Sequence, residues 1–485
     1  MPRKDIVLYT EVLLALLALL IMAFVLPGTG DEGDSVTHYL ISKYAFEMPH
    51  NFFDHWGKPL FVLFSTCFAQ FGFVGIKIFN VLSTTTAIYF ACRTAQLLKI
   101  PNVQLLPIIL FFSPMYIILT LSGLTEPFSA AVLMVGIYLL IVNKATAGVI
   151  LLSFLPFIRS EGLVILGIIT IYLLYNKQWR LLPLLAIGHL VYAVAGYPEY
   201  HSFWWVFSKI PYGTLSSEHY GSGDLLYFVN NFHFIMGYVV KWLIGLGFIY
   251  PLIAIYQQYV KTEKKQVIVS TEVLLIYGIF SAFFVAHTLF WYFGIFGSAG
   301  MLRVMITIIP LGGIIALRGA NVILGMFNKK YQPYLQVLMA IPIIAYPFWG
   351  DKPEWSYQQF DFKADQRAQF ELAKYVHQTY PNYNSYHYYY EAPFISVPFN
   401  HNFNLNIHQP NQPFAAGTQQ HIKAIRENPE LQKPAFVIWD DWYAKVEGGV
   451  TWEAISTDTR LKMVKEFEQK DQWGTPRKTV LFVTN

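Results

Sequence analysis

Residues 7–26 read VLYTEVLLALLALLIMAFVL, and PGTGDEGDSVTHYL follows at once over residues 27–40. About 20 consecutive apolar residues, coiled as a helix, cross the ~30 Å hydrocarbon layer of a bilayer. The first stretch is therefore a membrane span, and the second is what emerges from it. A helix in a soluble core would need a polar outer face, and neither 7–26 nor Val132–Val142 has one. The whole chain repeats this character. Of 485 residues, 55% are hydrophobic and 13% charged, against about 25% charged in soluble domains, and the mean hydropathy is +0.40. Arg3 and Lys4 precede the first run, but no small-residue cleavage site follows it, so it reads as a retained span rather than a signal peptide.

Further spans fit near 73–92, 103–121, 125–142, 146–158, 162–175, 181–197, 234–258, 267–292, 301–319 and 333–348. The expected fold class is a polytopic α-helical membrane protein with about eleven transmembrane helices. The piece 60–71 is too short to cross. Loop charges agree with that count. With the N-terminus inside, the inner loops hold Arg93 and Lys99, Lys144, Lys177 and Arg180, Lys261, Lys264 and Lys265, then Lys329 and Lys330, which is the cytoplasmic bias of lysine and arginine. Residues 1–350 then form a transmembrane domain with outer loops 28–58 and 197–232. Residues 351–485 form a small soluble extracytoplasmic α/β domain. There, Gln366–Val376 reads as a helix, Asn384–Tyr390, Pro434–Trp439 and Thr479–Val483 as strands, and Arg460–Phe467 as a charged amphipathic helix. Helical spans place the chain in a bacterial inner (plasma) membrane, since outer-membrane spans are normally strands.

The candidate chemistry lies at the outer ends of the spans. Asp31, Glu32 and Asp34 stand within four residues, among glycines that permit tight turns. Three such carboxylates repel one another, so at least one holds its proton more tightly, which suits a general base. They could equally hold a divalent cation, or be an acidic solvated loop. His38 and Tyr39 follow, and in a helix Asp34 and His38 share a face. His55, Trp56 and Lys58 sit in Asp54-His55-Trp56-Gly57-Lys58-Pro59. Lys58 is an outer lysine that the topology rule does not call for, and it points to an anionic ligand. Trp56 also fits an interface anchor. Glu126, Arg159, Glu161 and Arg303 lie at other outer span ends. Arg159 and Glu161 suit either ligand contact or mutual pairing with Glu126. Arg303 suits a phosphate or a carboxylate from another loop. His189 and His287 are given no role. Trp439-Asp440-Asp441-Trp442-Tyr443 suits carbohydrate binding and ordinary packing equally.

Cys67 and Cys92 both fall in apolar segments and imply no disulfide framework. No P-loop, Rossmann glycine run, HExxH or paired CxxC is present. The formal charge of +4 is spread over short loops and implies no nucleic-acid partner.

The run GDEGDSVTHYLISKYAFEMP followed by DHWGKPL, together with SGLTEPF, LPFIRSEG and GSAGMLRVMITIIP, resembles the GT-C class of integral-membrane glycosyltransferases. The bacterial members it resembles are related to protein O-mannosyltransferases and to the aminoarabinose transferases of lipid A. The resemblance spans roughly residues 1–350. It implies an inverting transfer of a sugar from a polyprenyl-phosphate donor to a lipid, glycan or protein acceptor on the extracytoplasmic face, with membrane lipid around the enzyme. It makes the first-loop acid the base. Asp34 matches best because it precedes His38-Tyr39 at helical spacing, with Asp31 or Glu32 the alternative. The family's adjacent acid pair followed by tyrosine is displaced here, which leaves the base between 31 and 34. Lys58, Arg159 and Arg303 become the candidates for the donor phosphate. No cofactor is required, and a divalent cation is compatible. The competing reading is a multispan transporter or flippase for a lipid-linked or anionic substrate, which would place broken helices and polar groups near midplane.

Overall fold

The computed structural model describes residues 3–31, 33–211, 221–253, 256, 271–351, 353–402, 417–428, 430–471 and 474–484. Glu32, Glu218, His219, Lys261, Lys264 and Lys265 lie outside the described residues. The chain forms two compact units. One comprises Met1–Val25 and Pro49–Ser356, the other Leu26–Met48 and Tyr357–Asn485.

The described residues of the first unit are mainly helical, and the expected count of about eleven spans is not what its long apolar helices give. Among the described residues, four helices are long and apolar enough to cross a membrane: Ile6–Val25, Gly72–Leu97, Val273–Phe293 and Leu302–Gly325. A fifth candidate, Tyr227–Met236 with Tyr238–Ile253, is bent by 118° at Gly237, whose φ of +84° no helix accommodates. The other expected spans are shorter or broken helices. Residues 103–121 divide into Leu105–Phe111 and Pro114–Thr120, because Pro114 lacks the N–H that a continuing helix needs. Residues 181–197 begin as a 3₁₀ turn, Trp179–Ala186, around Pro183, then become the helix Ile187–Ala195. The piece 60–71 is the helix Pro59–Ala69. Glycine sets one close packing. A side chain at Gly319 would strike the Leu243 carbonyl, and one at Gly247 would strike the Ile315 carbonyl. Helices Tyr238–Gly247 and Ile309–Gly325 therefore meet backbone to backbone, as small residues allow between membrane helices.

The second unit is built on a five-stranded sheet: β1 (His387–Tyr389), β2 (Gln419–Gln420), β3 (Ala435–Asp440), β4 (Leu461–Lys470) and β5 (Pro476–Thr484). The order is β2-β1-β3-β5-β4. β1 runs parallel to β2 and β3, whereas β5 runs antiparallel to β3 and β4. Helix Ala364–Thr379 packs on β4 and β5. The amphipathic helix expected over Arg460–Phe467 is strand β4 instead. A register shift between Met463 and Lys465 interrupts its two-residue alternation. The more sheltered positions Leu461, Val464 and Phe467 then fall three apart, which imitates a helical stripe.

The segment after the first span is stitched into this second unit. Gly28 N–H donates to the Phe360 carbonyl at 2.8 Å. Gln366 Nε2 donates to Thr29 Oγ1 at 3.0 Å. Tyr44 donates its hydroxyl to the Asn400 carbonyl at 2.9 Å, and Lys43 reaches the Asn400 side chain.

Candidate functional site

In the first unit the candidates from four separate stretches gather into one charged cluster. Asp54 shapes the turn before Lys58, accepting N–H groups from Trp56 at 2.7 Å and Gly57 at 3.1 Å. Lys58 then takes a left-handed φ of 66° immediately ahead of Pro59, a conformation that costs a non-glycine residue energy and tends to mark functional positions. Glu126, fully buried at the first turn of helix Glu126–Ile141, accepts Arg159 Nη1 on Oε1 at 2.7 Å, and Arg303 Nε stands 3.8 Å from the same oxygen. The other guanidinium nitrogen, Arg159 Nη2, holds Glu161 Oε1 at 2.7 Å. Arg303 follows a loop in which Gly294, Phe296, Gly297, Ala299 and Gly300 all have positive φ.

These groups perturb one another. Burial brings the Lys58 ammonium down to about 8, aided by Arg159 and opposed by Glu161, Asp54 and Glu126. Burial also works to raise the Glu161 carboxyl, but Arg159, with His287 and Lys58, overrides it and holds that group at about 2. His55, wedged against Trp205 and Phe157 with ring centroids 5.1 and 5.9 Å away, is brought by burial and by Lys58 to about 4, so it is neutral at neutral pH. Lys58, Arg159 and Arg303 face Glu126 and Glu161, and Asp54, part-buried, also acts on Lys58, so three cations meet three carboxylates. Trp56 is part-buried beside this group in sequence. His287, given no role from sequence, acts on both Arg159 and Glu161. A lone histidine in an apolar run carries no signal that would have singled it out.

In the second unit, Asp31 Oδ1 accepts the Gly33 N–H at 2.6 Å, and Asp34 opens helix Asp34–Lys43. His38 and Tyr39 are buried along that helix, and burial brings the Tyr39 phenol up to about 12. A side chain at Gly33 would strike the Tyr443 hydroxyl, so the tyrosine packs directly on the acidic turn. Glu447 is raised by burial and then by the nearby charges of Glu391 and Asp34, and His421 Nδ1 lies 2.9 Å from Glu391 Oε1. Glu447, on which Asp34 acts, was not legible as its neighbour, being some 410 residues distant in sequence. The Trp439–Tyr443 motif divides by role. Asp440 is buried and accepts N–H groups from Trp442 at 3.1 Å, Tyr443 at 2.5 Å and Ala444 at 3.1 Å. Trp439 Nε1 donates to the Val450 carbonyl at 2.8 Å, whereas Trp442 is 47% exposed. Burial, against those three N–H groups, brings Asp440 up to about 7. Among the described residues, no three His, Cys, Asp or Glu side chains are arranged to hold a metal ion.

Two solved structures of ArnT from Cupriavidus metallidurans share the fold of this chain over nearly its whole length. The one in the apo state aligns with a TM-score of 0.59 at 12% identity, covering 98% of this chain and 97% of that one. The one bound to undecaprenyl phosphate aligns with a TM-score of 0.56 at 12% identity, covering 99% and 98%. The chain is thus a polytopic, mostly α-helical membrane protein of GT-C-like fold with a small C-terminal β-sheet region. No protein-family profile and no curated protein sequence matches it.

Proposed function

We propose that the chain is an inverting glycosyltransferase that takes a sugar from a polyprenyl-phosphate donor and passes it to an acceptor hydroxyl on the extracytoplasmic face of a bacterial inner membrane. The observation that carries this reading is the part-buried cluster in which Lys58, Arg159 and Arg303 gather around Glu126 and Glu161. The GT-C-like fold shared with a protein crystallised with undecaprenyl phosphate supports it. On this reading about eleven spans surround a lipid groove, the N-terminus is cytoplasmic, and residues 351–485 are extracytoplasmic.

The donor is a phosphodiester with one negative charge, which the cations Lys58, Arg159 and Arg303 hold. Polyprenyl phosphate is itself a good leaving group. The enzyme then needs cations on the departing phosphate and a base on the acceptor hydroxyl. Asp34 is the base, with Asp31 or Glu32 the alternative. His38, Tyr39, His55 and Trp56 border the substrates.

A second reading, a flippase for lipid-linked substrates, draws on the 118° break at Gly237, since broken helices line many transport sites. One experiment separates the two. Purified protein in vesicles receives radiolabelled polyprenyl-phosphate sugar and envelope extract. Label appearing on an acceptor supports the transferase. Label crossing between leaflets without any transfer supports the flippase.

A further inference from the structure

Helix Ile279–Phe293 carries one polar ring into the charged cluster. His287 is 4% exposed, and Phe283 and Phe290 flank it on the same helical face with ring centroids 4.6 and 5.6 Å away. Its Nε2 is buried and makes no hydrogen bond to any described residue. Such an atom costs about 1–3 kcal/mol while it lacks a partner. Another phenylalanine would fill the space between those two rings without that cost. The charged groups whose fields reach His287 are Glu161 and Arg159. The 3₁₀ turn Leu302–Ile308, which bears Arg303, packs on the same helix. The unsatisfied nitrogen therefore belongs to the same group of side chains as Arg159, Glu161 and Arg303.

We infer that His287 is a ligand of the donor phosphate, donating its Nε2–H to a phosphate oxygen held by the cationic cluster. This rests on the polyprenyl-phosphate reading above. A histidine supplies an N–H there without the fixed charge of a lysine or arginine, which would repel Arg159 and Lys58. As the acceptor oxygen bonds to the sugar carbon and the bond from that carbon to the phosphate oxygen breaks, the electron pair stays on the phosphate oxygen. The phosphodiester monoanion becomes a monoester dianion, and the acceptor proton passes to the base. A donor already aimed at the phosphate strengthens as that charge develops, without having to reorganise.

The test compares full-length parent, His287→Leu and His287→Gln in nanodiscs, each melted with and without undecaprenyl phosphate. A ligand that binds the native state raises its melting temperature, by more the tighter it binds, roughly with the logarithm of affinity. The parent is expected to be stabilised, His287→Leu to bind about tenfold more weakly, and His287→Gln, which retains an N–H donor, to bind within a few-fold of the parent. Equal binding by the parent and His287→Leu overturns the assignment and leaves the donor reading intact. A parent that undecaprenyl phosphate does not stabilise overturns both. A second measurement covers the case in which His287→Leu fails to fold. In ¹⁵N-histidine-labelled parent, with His287→Gln identifying the resonance, undecaprenyl phosphate is expected to shift the His287 Nε2 signal. An unmoved signal in a protein that binds the lipid contradicts the assignment.

Discussion

The two units bury charge in opposite ways. In the first, cations and carboxylates are interleaved at contact distance, with Arg159 holding Glu126 and Glu161 at 2.7 Å each. The outcome is a carboxyl held at about 2 and an ammonium brought down to about 8. In the second, carboxylates face other carboxylates, as Glu447 faces Glu391 and Asp34, or stand buried on neutral N–H groups, as Asp440 does. The outcome there is carboxyls pushed toward their protonated forms. Arginines held between carboxylates are suited to meet an anion. Crowded acids are suited to take up a proton.

The largest test of this contrast is Arg159→Leu. It leaves Glu126, fully buried, without its closest partner, and the expected loss is on the order of 3–5 kcal/mol, read from unfolding in nanodiscs. Replacing Glu126 and Arg159 together by leucine should recover the part of that loss due to Glu126, while Glu161 still lacks its Arg159 contact. A double variant no more stable than the single one would mean that the pair is not internally balanced.

Lys58→Met sharpens the picture of the cationic side. Donor affinity should fall about 10- to 100-fold, the value of a charged contact to phosphate. In the parent the same residue predicts a pH profile. The ammonium is present below about 8 and lost above it, so affinity should be level at lower pH and decline as pH rises past about 8. Titration of the lipid by calorimetry across pH 6 to 10 would show this as a roughly tenfold loss per unit at the upper end.

The smallest effect probes the acidic side. Asp440→Ala removes the acceptor of three N–H groups and should cost about 1–2 kcal/mol, seen as faster hydrogen exchange over Trp442–Ala444. Its pH dependence has a defined sign. A carboxyl raised from 3.8 to about 7 on folding binds a proton more tightly in the native state. The stability it contributes is complete below about pH 4 and is lost as pH rises through about 7. Asp440→Asn should flatten melting temperatures of the second unit across that window.

Much of the fold was legible because it rests on hydropathy, which acts locally. Four of the expected spans lie on long apolar helices among the described residues, and Gly237, Pro114 and Pro183 explain where others bend or divide. Helix Arg460–Phe467 was misread because a bulge shifts a strand's alternation into steps of three, and single-sequence periodicity cannot tell the two apart. The site was legible in part for a related reason. Glu126, Arg159, Glu161 and Arg303 announce themselves as charges in apolar sequence, where charge is costly without a partner. His287 announces nothing, since a histidine is compatible with an apolar helix. The environment of Asp34 includes Glu447, which only the folded chain brings to it.

The most direct test of the division of labour is steady-state transfer from radiolabelled polyprenyl-phosphate sugar by parent, Asp34→Asn and Lys58→Met side by side. The account predicts that Asp34→Asn lowers kcat by roughly 10²- to 10⁴-fold with KM for the donor nearly unchanged, and that Lys58→Met chiefly raises that KM. A parental kcat in Asp34→Asn, or a kcat loss in Lys58→Met with KM intact, would contradict the assignment of proton and phosphate to the two regions.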